Sequence, residues 1–183
     1  MNGNYKISGI LPANDTILLN DAYIMLLYAM KIPPHLLVSI NGKTFTLSAK
    51  GASIDGELSS LLKLIRKKNI ETIFIRLSLP PVFTMQKLNE EIRNSMLAYQ
   101  RADIGVATCL TPIRDFCHSI YKTDSHSVNL IFDLLPKLQE KNALNGCYHL
   151  NMEKQLSDNS LLLNRYGMNE VNEAIHRASL LPV

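Results

Sequence analysis

The chain has 183 residues, 46% of them hydrophobic and 19% charged, which excludes a disordered polymer, a collagen-like repeat or a charged tail as its main content. Nineteen basic and sixteen acidic residues leave a formal charge of +3, too balanced for an obligate nucleic-acid or membrane-surface binder. The length fits a single globular domain over residues 1–183, burying roughly two-thirds of its extended-chain surface.

In chain order, a short strand is expected near Tyr5 to Ile10, then a turn over residues 12–16 in which Asn14 or Asp15 caps the next helix. Ile17 to Ile32 is the most apolar stretch. Asn20, Asp21 and Lys31 interrupt it, and it falls short of the about 20 residues a membrane-spanning helix needs. It reads as a buried core helix, stopped by Pro33-Pro34.

The clearest local signal follows. Asn41-Gly42 suits the positive-φ positions of a type I′ turn, so Leu36 to Leu47 should fold as a hairpin pairing Ile40 with Lys43, Val38 with Phe45 and Leu36 with Leu47. One face is then apolar, and the other carries Ser39, Thr44 and Thr46 with Leu37. A helix from Ile54 to Lys68 is read from Ile54, Leu58, Leu61, Leu62 and Ile65, with Lys63, Arg66, Lys67 and Lys68 at the end the helix dipole favours.

A strand over Glu71–Ser78, a helix capped by Thr84 and a strand over Asp103–Cys109 then predict a parallel β-α-β unit. Helices are expected over Pro112–Tyr121, over Asp124–Lys141 with Pro136 inside, and over Asn169–Leu180. Asn145-Gly146 reads as a turn and Cys147–Asn151 as a strand, while residues 151–166 fit helix or hairpin equally. The expected class is α+β, or irregular α/β: a mixed sheet holding the hairpin and one parallel unit, covered by helices.

Cys109, Cys117 and Cys147 cannot all pair and show no C-x-x-C spacing, so a reducing, cytoplasmic setting is expected. The first residues lack the basic and apolar regions of a secretory signal. No phosphate-loop, hydrolase-elbow or zincin pattern occurs, and the five histidines show no short metal spacing. Neither cofactor nor metal is expected.

If the two parallel strands were neighbours, their carboxyl ends would bring together Ser78, Cys109, Thr111 and Arg114. Cys109 could then serve as a thiol nucleophile, with His126 or His149 as its base. Cys117-His118 and Asp124-Ser125-His126 have suggestive residue types but unsuitable spacing.

No motif names a reaction. The expected role is therefore a non-enzymatic protein-protein interaction module, whose partner is another protein chain or a second copy. Ser39, Thr44 and Thr46 on the hairpin and Lys63, Arg66 and Lys67 on the helix are the candidate binding residues. A hairpin at the sheet edge could pair with a partner strand, and Leu180 to Val183 could add docking surface. The alternatives are a small thiol hydrolase or acyl-transfer enzyme and, more weakly, a nucleic-acid contact through Lys63–Lys68.

Overall fold

The computed structural model describes residues 4–180. Its centre is β3 (Ala22–Leu27), a strand buried along its whole length. It lies inside a seven-stranded mixed sheet with helices on both faces, an α+β architecture. Ile24 and Leu26 face one core; Tyr23, Met25 and Leu27 face the other.

This corrects the expected helix over Ile17–Ile32. An unbroken apolar run fits a strand covered on both sides as well as a buried helix, and here the double cover decides. The helical part is only α1 (Asp15–Asn20), with Asn14 Oδ1 accepting from the Ile17 amide at 3.0 Å.

Two short strands precede α1: β1 (Tyr5–Ile7) and β2 (Ile10–Pro12). After β3 come β4 (His35–Ile40), β5 (Lys43–Ser48) and β6 (Gly51–Glu57), then α2 (Leu58–Lys67) and β7 (Thr72–Leu77). The hairpin register is as expected for Ile40↔Lys43 and Val38↔Phe45, with φ of 48° at Asn41 and 78° at Gly42. Ile54 belongs to β6, so α2 starts later than its stripe suggested. Leu58, Leu62 and Ile65 are its buried side chains, each worth about 1.5–3 kcal/mol of transfer free energy.

The second half is helical: α3 (Met85–Leu97), α4 (Thr111–Tyr121) and α5 (Ile131–Glu140), followed by β8 (Leu144–Leu150), β9 (Leu161–Leu163) and α6 (Met168–Ser179). The sheet order is β2-β8-β7-β3-β4-β5-β6, while β1 pairs with β9 separately. Only β2 and β8 run parallel within the large sheet. Residues 103–109 form no strand: Asp103 and Ala107 close a tight loop with φ of 73° at Gly105, so the β-α-β unit after Glu71 does not exist.

Three smaller expectations also change. Asp124 accepts bonds from the His126 amide and the Ser127 hydroxyl in its own turn, so α5 begins only at Ile131, where Asp133 bonds the Leu130 amide. Asn145-Gly146 lies inside β8, where the register slips opposite β7; it is a bulge rather than a turn. Finally, the β4–β5 hairpin is interior, flanked by β3 and β6, so it offers no open edge to a partner strand. Of the proposed docking tail, residues 181–183 lie outside the described residues. Among the described residues no helix is long and apolar enough to cross a membrane.

Candidate active site

The β4–β5 ladder ends at Val38↔Phe45, and the beginning of β4 continues alone against β3. The expected Leu36–Leu47 pair is therefore absent from the ladder. A side chain bridges the parted strands instead: Thr46 Oγ1 lies 3.0 Å from His35 Nε2 and 3.2 Å from the Leu36 carbonyl oxygen. A hydroxyl has one proton. Donated to the Leu36 carbonyl, it leaves the oxygen to accept from Nε2–H. That assigns the neutral imidazole its tautomer, with the basic lone pair on Nδ1. Burial lowers the His35 pKa below the ordinary histidine value, so this neutral form dominates near pH 7.

The loop that replaces the expected second parallel strand meets the same place. The Ala102 amide bonds the Ser48 carbonyl at 2.8 Å, pinning the loop to the end of β5. Thr111 Oγ1 accepts from the Thr108 amide at 2.8 Å, and Thr108 Oγ1 from the Leu110 amide at 3.2 Å. These two hydroxyls hold a turn that presents Cys109 immediately before α4.

Cys109 borders a half-open cavity of about 160 Å³ with α6 along one side; His35 lies at its rim, but its pairing with Leu27 sets its imidazole on the α1/α2 face of the sheet. A narrower cavity of about 20 Å³, bordered by Leu36, Cys109, Leu110 and Tyr166, adjoins this site. On the other side of Thr108 a polar cavity of about 260 Å³ contains Asp103, Thr111 and Arg114.

Cys109 is partly exposed, whereas Cys117 and Cys147 are buried. Desolvation raises the Cys109 pKa, and the amides of Leu36, Cys109 and Leu110 oppose that rise by stabilising the thiolate. The net direction is upward, so the resting sulfur is a thiol that needs a base. Burial alone drives Cys117 far up and, as the largest cause, pushes Cys147 up to about 12; neither sulfur is available as a thiolate. Burial, reinforced by the proximity of Cys109 and Asp133, also raises Tyr166, leaving its phenol a protonated donor.

The other residues singled out from the sequence lie elsewhere. Ser78 borders a separate cavity with Tyr121, whose hydroxyl bonds its carbonyl at 2.9 Å. His126 sits in the exposed Asp124 turn, and His149 is buried in β8 with Nδ1 4.0 Å from Glu153 Oε1. Neither borders the Cys109 cavities. Arg114 is paired with Asp115 at 2.9 Å.

Ser39 is fully buried, and Thr44 packs so closely on Gly56 that a Cβ there would lie 2.4 Å from its hydroxyl. Lys63, Arg66, Lys67 and Lys68 are exposed, and Arg66 forms an ion pair with Asp15. Among the described residues no three His, Cys, Asp or Glu side chains gather as metal ligands.

His35 is the residue that sequence reasoning passed over. Its signal was present: it has the same strand parity as Ser39, and with the register fixed by Asn41-Gly42 it falls diagonally across from Thr46. Comparison with protein-family models, with curated proteins and with solved structures finds no match.

Proposed function

We propose that this protein is a thiol-dependent acyl-group hydrolase or transferase with Cys109 as nucleophile. The observation that carries the reading is that the only partly exposed cysteine borders a cavity and has the Leu36, Cys109 and Leu110 amides favouring its thiolate. In the first step the Cys109 thiol gives its proton to water as Sγ attacks an ester or thioester carbonyl. The tetrahedral intermediate collapses, the bond to the leaving group breaks, and that group takes a proton from water. The resulting Cys109 thioester is cleaved by water or a second nucleophile. Amide donors beside the sulfur and the Tyr166 phenol favour developing negative charge in this region.

Chloroacetamide labelling with peptide mapping tests the assignment. Cys109 should react at least about tenfold faster than Cys117 or Cys147, since reactivity follows access and thiolate content. Its rate should climb with pH. Equal, slow labelling of all three thiols contradicts the reading.

Protein binding is the second reading, and one feature favours it. Val106, 74% exposed, and Ile104, 48% exposed, lie on the loop beside the polar cavity, with partly exposed Met168 nearby. Exposed apolar side chains around a polar concavity suit a docking site. A Val106→Asp variant that loses a stoichiometric partner retained by the wild type supports it. Wild-type protein that stays monomeric and retains no partner counts against it.

A further inference from the structure

One helix end carries more net positive charge than the whole chain. Residues 58–69 hold Lys63, Arg66, Lys67 and Lys68 and no acidic side chain, against a net charge of +3 for the full sequence, so the remainder is close to neutral. We infer that the outer face of α2 docks on the phosphate backbone of a nucleic-acid double helix, without reading its sequence.

The helix is fixed, and its outer face is open. Leu58, Leu62 and Ile65 bury one side of it. The Asn151 side-chain amide donates to the Ile65 and Ile70 carbonyls at 3.2 and 3.0 Å, tying down the C-terminal end. Ser60, Lys63, Leu64 and Lys67, at i, i+3, i+4 and i+7, are exposed on the opposite side. Arg66 is neutralised by Asp15 of α1. Among the described residues Lys63, Lys67 and Lys68 enter no ion pair and no side-chain hydrogen bond.

The neighbouring helix α3 is arranged differently. Its Lys87 meets Glu90 and Glu91 at 3.7 and 2.9 Å, three and four residues further on. In α2 the residue four before Lys67 is another lysine, and like charges at that spacing repel. The helix dipole accounts for cations in the last turn, Arg66 and Lys67, but not for Lys63 a turn earlier. A bound anion removes the repulsion.

What the face offers selects its occupant. The lysines and the Ser60 hydroxyl all donate, and no carboxylate lies among them. That suits a partner presenting a row of charged acceptors, as a phosphate backbone does. A protein partner is held chiefly by aromatic or apolar anchors, and Leu64, 41% exposed, is the apolar side chain among these four. A lipid surface needs a broad apolar face, which the same four residues do not supply. Single strands are gripped by stacking bases on aromatic rings, and α2 contains no aromatic residue. A double helix is met through its backbone alone, and such contacts carry no sequence information.

The test uses the full chain and a fluorescein-labelled DNA duplex of mixed sequence, followed by anisotropy across salt. With three phosphates neutralised, log K against log salt should have a slope of about −2.7, a roughly fortyfold loss of affinity between about 50 and 200 mM salt. Lys63→Gln and Lys67→Gln should each reduce that slope by about one and weaken binding to every sequence alike. Lys63→Arg keeps the charge and should bind as the wild type does. These positions are exposed, so the variants should fold, as thermal unfolding will verify. Lys141→Gln, at the end of α5 on the other face of the sheet, should change nothing. The corresponding single strand should bind more weakly.

No anisotropy change at about 50 mM salt overturns the inference, as does binding that ignores salt or is lost equally in Lys141→Gln. Tighter binding of a polyglutamate peptide would give the face to an acidic protein, and tighter binding of phosphatidylserine vesicles would give it to a membrane; either removes the duplex. Equal or tighter binding of the single strand removes it too. Cys109→Ser should bind the duplex as the wild type does, so the acyl chemistry can fail without touching this result.

Discussion

The two faces of the sheet are built differently. On one, Leu18, Leu58, Leu62 and Ile65 of α1 and α2 close over Tyr23, Met25, Leu37 and Phe74. The Tyr23 and Phe74 rings meet edge-to-face, with centroids 6.1 Å apart. On the other face α3 lies over β4, β5 and β6 and packs against α4, but towards the beginning of β4 the cover becomes loops and the loosely buried α6. Regular amphipathic helices seal a surface; the irregular cover leaves cavities beside a thiol. Stability and reactivity should therefore separate by face.

Substitutions can break that separation. The largest effect is expected for Cys109→Ser, which should abolish acylation and reduce hydrolysis to background, since a hydroxyl is a far weaker nucleophile at this pH. Leu62→Ala on the closed face should cost about 2–5 kcal/mol by chemical denaturation, yet leave the rate per folded molecule unchanged. Loss of rate in that variant, in proportion beyond its unfolded fraction, would show that the two faces are coupled.

Smaller changes sharpen the comparison. Thr46→Val removes the oxygen that joins His35 to the Leu36 carbonyl and should cost about 1 kcal/mol of stability, read by chemical denaturation. The His35 shift adds a pH signature. Its pKa is depressed by burial in the folded chain, so the imidazole stays neutral below pH 6.5. The same depression means the unfolded chain takes up the proton first as pH falls. The contribution to stability is present above about pH 6.5 and disappears as pH drops through the folded value. A thermal-unfolding series from pH 7.5 to pH 5 should show this decline, less steeply in His35→Ala. The smallest effect is expected for Asn14→Ala, about 1 kcal/mol of stability through loss of the α1 cap.

Much of the closed face could be read from the residues. Leu58, Leu62 and Ile65 recur at helical spacing, and Asn41-Gly42 dictates a hairpin and its register. Ile17–Ile32 misleads because a strand buried on both sides has no alternation to betray it. The site was harder to see. Cys109 stood out as a thiol, but the expected parallel strand placed it beside Ser78, and a loop held by Thr108 and Thr111 carries it instead to the beginning of β4.

Incubation with a butyryl thioester at pH 7.5, followed by peptide mapping, tests most directly whether Cys109 is the nucleophile. The account predicts a butyryl group on Cys109 in the wild-type protein and its absence in Cys109→Ser. Label scattered over surface lysines, or spread equally over Cys117 and Cys147, would contradict it.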